Sequence, residues 1–181
     1  MTFTIAPWDG TDDQLSRAAE LYADVFTEPP YGDDRSESHD SLLSRARRYA
    51  EERPDFRLLL ATEDSHIVGL VLGAGISLGD WWWDRLDAAL PVDAQRAWLD
   101  TECFSVVELA VADSNRRRGV AAALINAVLH GLPYRTALLG CYQDAIPAQR
   151  LYTRLGWTVV DPAVRITETR EIQVMGIRLD K

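Results

Sequence analysis

The sequence predicts a mixed α/β (α+β) fold, with a central mixed sheet of about six to seven strands flanked by about four helices. An insertion is expected before the central strand. Three observations support this. A strand pattern, a basic loop with a glycine, and a helix pattern follow one another over Cys103–Leu129. Strand-like and helix-like segments alternate through the second half of the chain, which implies parallel pairing there. Two apolar runs, Phe56–Thr62 and Ile67–Gly73, flank the turn residues Glu63-Asp64-Ser65-His66, which implies an antiparallel hairpin. A chain of 181 residues is long enough for one domain with a sizeable core. The expectation is a single domain over 1–181 with the insertion around 75–101.

In chain order, Phe3–Ala6 reads as a short strand ended by Pro7 and the Asp9-Gly10 turn. Thr11-Asp12-Asp13 offers capping oxygens. Leu15, Ala18, Ala19, Tyr22 and Phe26 then share one helical face. Glu28-Pro29-Pro30-Tyr31-Gly32 stops that helix. Asp33–Asp40 reads as a polar loop, and Ser41–Arg53 as a second helix closed by Pro54. The hairpin follows, with His66 an exposed turn residue. Ala74–Asp100 is the least regular part. It contains Trp81-Trp82-Trp83, a short helix around Leu86–Leu90, and a further one capped by Asp93 and running through Leu99. Cys103–Ala112 is rich in β-branched and apolar residues and reads as a buried strand. Val120, Leu124, Ala127 and Val128 give the next helix its buried face. Gly131-Leu132-Pro133 breaks the chain before a strand over Arg135–Cys141. Ala145–Leu155 reads as a helix ended by Gly156. Trp157–Val160 and Glu171–Leu179 are the final strands, separated by a loop containing Asp161-Pro162.

Composition narrows the function classes. A net charge of −9 argues against general nucleic-acid binding, which needs a basic face, and permits a cationic or amine substrate. The two cysteines, Cys103 and Cys141, lie in expected strands without metal-ligand neighbours. They read as buried reduced thiols of a cytosolic protein, and no metal site is expected. Met1–Ile5 lacks a basic region followed by an apolar run, so no signal peptide is expected. The apolar runs are too short to span a bilayer. A soluble cytoplasmic protein is the resulting expectation.

Between the central strand and its helix lies Arg116-Arg117-Arg118-Gly119-Val120-Ala121. The first turn of a helix carries unpaired N–H groups and partial positive charge, and small residues let a phosphate approach the backbone. By itself this is equally a solvated basic surface turn. Further on comes Ala148-Gln149-Arg150-Leu151-Tyr152-Thr153-Arg154-Leu155-Gly156-Trp157. The first segment fits [Gln/Arg]-x-x-Gly-x-[Gly/Ala], and the second resembles Ala-x-x-Leu-Tyr-x-x-x-Gly-[Phe/Trp]. In this order, around the strand at Thr136–Cys141, the pair resembles the GCN5-related N-acetyltransferase (GNAT) family over residues 103–160.

The resemblance implies a GNAT-like fold and acetyl-CoA as co-substrate. It also implies direct attack of an amine on the thioester, with no acyl-enzyme. The backbone of Leu109, Ala110 and Val111 would pair with the pantetheine arm. Amides of Arg116, Arg117, Arg118, Gly119, Val120 and Ala121 would hold the pyrophosphate. Tyr152 would lie near the sulfur and act as general acid, or else be a core tyrosine with a satisfied hydroxyl. Glu108 is a carboxylate between Val107 and Leu109, and burial in an apolar strand favours a group ready to accept a proton. It is the candidate general base, directly or through water. The alternative is a solvent-facing residue or a structural ion pair. The sequence departs from the family where many members carry Asn three residues before the alanine of the second motif. That position is Ala145, beside Asp144, and by the resemblance its lack of Asn weakens one coenzyme contact.

The acceptor would meet Glu28–Tyr31 and the insertion Gly79–Glu102. Trp81, Trp82 and Trp83 wall an acceptor pocket, fill the core, or form a homodimer interface. The expected reaction is acetyl transfer to a primary amine of a small molecule. The alternatives are acetylation of a protein N-terminus or lysine, or a non-catalytic acyl-CoA-binding domain. No nucleic-acid or membrane partner is expected.

Overall fold

The computed structural model describes residues 2–99, 102–165 and 171–179. The strands are β1 (Thr4–Pro7), β2 (Arg57–Glu63), β3 (His66–Ser77), β4 (Glu102–Val111), β5 (Thr136–Tyr142), β6 (Thr158–Arg165) and β7 (Glu171–Arg178). The helices are α1 (Asp12–Thr27), α2 (Arg35–Glu52), α3 (Trp81–Ala89), α4 (Val92–Trp98), α5 (Val120–Leu129) and α6 (Ile146–Arg154). The strands form a seven-stranded mixed sheet in the order β1-β2-β3-β4-β5-β7-β6. By backbone contacts the chain divides into two compact units, Met1–Ala74 with Val107–His130, and Gly75–Val106 with Gly131–Lys181.

The first unit holds β1, α1, α2, β2, most of β3, the end of β4, and α5. Its core is Leu15, Ala18, Ala19 and Tyr22 of α1, Leu42 and Ala46 of α2, Leu58, Leu60, Leu70 and Leu72 of the hairpin, and Ala110. The apolar period of α1 is therefore its packing face, and the Thr11 hydroxyl caps it by accepting from Gln14 N at 3.3 Å. The β2–β3 pair is the expected antiparallel hairpin, and Asp64 and Ser65 make its turn at φ +48° and +66°.

Helix α2 corrects the expected loop at Asp33–Asp40. The helix begins at Arg35, because Asp34 Oδ1 accepts from Glu37 N at 2.9 Å and closes the first turn. Ser38, Leu42 and Ala46 share its buried stripe, so a serine stands where an apolar residue would have marked the helix. Arg35 also pairs back to Glu20 and Asp24 of α1, which holds that polar turn against its neighbour.

The second unit is built on β5, β7 and β6, with the first part of β4 pairing parallel to β5 from Phe104–Ala137 to Val106–Leu139. β5 and β7 pair antiparallel, as do β7 and β6. The insertion is helical. α3 opens at Trp81, and Pro91 rather than Asp93 stands at the N-cap position of α4, without a side-chain cap hydrogen bond. Pro91 cannot continue a helix backwards for want of an N–H, and Asp93 lies in the first turn, where the helix dipole favours an acid. Trp83 is buried in a core with Ile76, Leu86, Leu90, Leu99, Leu138, Val164 and Ile172. Trp82 lies over Gly140, and Trp98 lies over Gly176, where added Cβ atoms would meet the indole carbons at 3.6 Å and 2.6 Å. Trp81 is 60% exposed and stacks on Trp82. Two of the three insertion tryptophans at 81–83 are therefore packing residues.

Strand β6 corrects the expected loop at Asp161-Pro162. The strand runs on to Arg165, with register shifts at Val159–Asp161 and Asp161–Val164. It is an edge strand, where a proline without an N–H and a bulge are tolerated. Residues 100 and 101 of the expected insertion, and 166–170 of the expected loop, lie outside the described residues.

Candidate functional site

In the first unit, β4 continues past its last β5 pair to Val111, and the chain turns through Asp113–Asn115 before α5. Gly119 sits immediately ahead of α5 at φ +84°, a left-handed conformation that favours glycine. A Cβ there would meet nothing within 4 Å, so the demand is one of backbone geometry and not of space. Among the described residues no side-chain cap hydrogen bond closes the start of α5. Its first-turn amides, at Val120 and Ala121, thus lie at a helix N-terminus with no side-chain cap among those residues. Gly69 of β3 lets α5 sit close, since a Cβ there would meet Leu124 Cδ1 and Val120 Cγ1 at 3.0 Å. At the other end, Arg57 Nη1 donates to Val128 O at 2.9 Å and His130 O at 2.7 Å. The helix is tied at both ends.

The loop arginines have different surroundings. Arg118 makes a fork to Glu63, with Nη1 to Oε2 at 3.0 Å and Nη2 to Oε1 at 2.7 Å. Asn115 Nδ2 adds a donor to Oε2 at 2.8 Å. Arg118 first, and Asn115 second, hold the Glu63 carboxyl down at about 2. The sequence marks Glu63 only as a turn residue. Here it ties the β2–β3 hairpin to the basic loop. The only local signal was a carboxylate at a hairpin end, since its partners lie 52 and 55 residues away. Arg116 makes single contacts to three separate acceptors and no fork: Nη2 to Glu28 Oε2 at 2.6 Å, Nη1 to Asp113 Oδ1 at 3.1 Å, and Nε to Val111 O at 3.4 Å. Arg117 is exposed at φ +60° and carries no ion pair among the described residues.

Glu108 lies in the same unit. Its side chain is 10% exposed. The Tyr22 hydroxyl donates to Oε2 at 2.9 Å, and the Arg45 guanidinium pairs with Oε1. Tyr22 stacks on Phe26 at 4.3 Å, and Phe26 meets Tyr31 at 4.6 Å. An aromatic row thus leads from Glu108 to the residues after α1, where Glu28–Tyr31 were expected to meet an acceptor.

Tyr152 lies in the second unit, on α6. It is buried, and its ring is 5.9 Å from that of Trp157. Trp157 N returns to Tyr152 O at 3.0 Å across Gly156 at φ +88°, so the Leu-Tyr-x-x-x-Gly-Trp spacing closes the helix on itself. Gln149 Nε2 donates to both Tyr142 O and Gln143 O at 2.9 Å, which ties α6 to the end of β5. Ala145, at the position of the missing asparagine, is buried and offers no side-chain cap. Both cysteines are free and buried, and burial pushes the Cys103 thiol up to about 12 and the Cys141 thiol up to about 11. Neither supplies a thiolate nucleophile near neutral pH.

The acetyltransferase (GNAT) family model matches residues 17–157. The chain belongs to that family. Members use acetyl-CoA as co-substrate, so the protein is a GNAT acetyltransferase with the GNAT fold. Solved structures agree in fold. An acetyltransferase of the GNAT family from Staphylococcus aureus Mu50 is 14% identical, with 99% of this chain and 100% of that chain covered and a TM-score of 0.69. The yncA protein of Salmonella typhimurium, solved with its cofactor acetyl-CoA, is 16% identical over 100% and 96% of the chains, with a TM-score of 0.66. The ribosomal-protein-S18-alanine N-acetyltransferase from Escherichia coli is 13% identical over 99% and 96%, with a TM-score of 0.63. At these identities the likeness carries the fold alone. No curated protein matches the chain in sequence. Among the described residues, no helix is long and apolar enough to cross a membrane, and no cluster of three or more His, Cys, Asp or Glu could hold a metal ion.

Proposed function

We propose that the whole chain works as one acetyltransferase domain, with 75–101 as its insertion, and acetylates the primary amine of a small molecule. The observation that carries this reading is the uncapped N-terminus of α5 behind the left-handed Gly119, set in a loop bearing Arg116 and Arg117. A family match that takes in parts of both units supports the single-domain reading.

In this reading, amides of residues 116–121 bind the pyrophosphate, and the backbone of Leu109–Val111 pairs with the pantetheine arm. Bound acetyl-CoA supplies the acetyl thioester. The acceptor nitrogen forms the new C–N bond as the C–S bond breaks. Glu108 takes the proton from the amine, directly or through water, and Tyr152 gives one to the departing sulfur. The burial of both thiols, which pushes Cys103 up to about 12 and Cys141 up to about 11, supports direct transfer over an acyl-cysteine route. Their reduced, buried state also supports a cytoplasmic setting. The net charge of −9 and the aromatic row beside Glu108 support a cationic amine acceptor.

One observation favours a second role for Glu108. Both of its oxygens already have partners, Arg45 and Tyr22, which suits a carboxylate that orders α1 and α2. Thiol release across a panel of small amines and short peptides tests the proposal. Acetyl-CoA-dependent release with a small amine supports it. Release with peptides only moves the function to protein acetylation, and bound acetyl-CoA without release from any amine points to a non-catalytic domain.

A further inference from the structure

Glu28 and Arg116 form an ion pair that the reaction does not require. Glu28 caps the C-terminal end of α1, whose last turn holds no basic residue. A carboxylate is unfavourable at that negative end of a helix, and a cation relieves it. Arg116 supplies the cation, at 2.6 Å. Its other polar contacts, Asp113 and Val111 O, are longer, at 3.1 and 3.4 Å. Both side chains of the pair stay open to solvent, at 40% and 42% exposure. The neighbouring Arg118–Glu63 pair differs, being a two-bond fork with Glu63 only 12% exposed. Arg118 is locked by its fork, whereas Arg116 meets Glu28 through Nη2 alone, with Asp113 on Nη1, and the solvent-open Glu28 carboxylate can be displaced from it. A guanidinium donates to carboxylate and phosphate oxygens with the same geometry.

We propose that Glu28 holds Arg116 in the free enzyme in the place that the coenzyme's pyrophosphate takes. Glu28 is then an internal competitor for the co-substrate and a positioning residue for Arg116. The proposal rests on the reading that residues 116–121 hold the pyrophosphate. When acetyl-CoA binds, Arg116 Nη2 leaves the carboxylate for a phosphate oxygen, and the Glu28 pair is lost. Removing the Glu28 charge therefore strengthens acetyl-CoA binding, whereas removal of a merely structural contact leaves it unchanged or weakens it.

Calorimetric titration of the full chain with acetyl-CoA at low salt tests this. Glu28→Gln is expected to lower Kd by about two- to fivefold, the range that an exposed ion pair provides. The difference shrinks as salt is raised. Glu28→Asp, which keeps the charge and shortens the reach, gives a smaller gain and covers the case in which Glu28→Gln does not fold. Arg116→Ala is expected to weaken binding, and adding Glu28→Gln to it changes nothing further. An unchanged or higher Kd in Glu28→Gln overturns the competition. A wild-type Kd in Arg116→Ala instead overturns the role of Arg116 in phosphate binding, on which the competition depends. Absence of binding by the wild type removes the coenzyme reading altogether.

Discussion

Replacing Gly119 by alanine isolates a single physical quantity. Gly119 stands at φ +84°, and the new Cβ would have no atom within 4 Å. The substitution therefore adds no clash, removes no side chain and changes no charge. What remains is the cost of placing a residue with a Cβ in the left-handed region, about 1–2 kcal/mol. If the loop keeps its shape, that cost is read in the unfolding free energy. If the loop relaxes instead, the amides of Val120 and Ala121 turn away from the phosphate. Acetyl-CoA affinity then falls by about five- to thirtyfold, at about 1.4 kcal/mol for each factor of ten. Denaturant unfolding and acetyl-CoA calorimetry on the same preparation measure the two parts. Their sum is expected to reach about 1–2 kcal/mol. A variant with unchanged stability and unchanged affinity would refute the claim that the left-handed turn aims this loop.

Glu63 is held at about 2 against 4.5 for the free group, so its ionised form contributes stability above about pH 4.5 that is lost as pH falls toward 2. Glu63→Gln is expected to flatten the decline of the melting temperature over that window and to raise KM for acetyl-CoA more than it lowers kcat. An acid profile matching the wild type would contradict the Arg118–Asn115 network. Gly176→Ala would place a Cβ 2.6 Å from Trp98 Cε3 and 2.9 Å from Val160 Cγ2, and is expected to cost about 1–3 kcal/mol in unfolding, with altered tryptophan fluorescence. No change in either would show that the insertion does not pack as described. Glu108→Gln is expected to remove the acidic limb of the rate–pH profile. A retained limb with a lowered melting temperature would assign Glu108 to structure alone.

The parts of the fold and site that could be read in advance are those whose cause is local. The hairpin turn at Asp64-Ser65, the apolar face of α1, the glycine before α5 and the spacing from Tyr152 to Trp157 each carry their own explanation within a few residues. The first turns of α2 were hidden because Ser38 fills a core position and the cap, Asp34, sits in a polar run. The two insertion helices depend on Gly140 and Gly176, which leave room for Trp82 and Trp98 from far along the chain. Strand β6 passes through Asp161-Pro162 because it lies at the sheet edge, a property of topology and not of the dipeptide. The partners of Glu108 came from α1 and α2, and those of Glu63 from the basic loop. An unusual carboxylate can be seen in a sequence, but the cation that meets it across the fold cannot.

The proposed seat of acetyl-CoA is the strand end at Leu109–Val111 with the loop and helix start at 116–121. Titration of acetyl-CoA into the wild-type chain tests it directly. Saturable binding at micromolar concentration is expected, one coenzyme per chain, weakened by rising salt as phosphate contacts are screened. Heatless titration, or binding indifferent to both salt and Gly119→Ala, would contradict it.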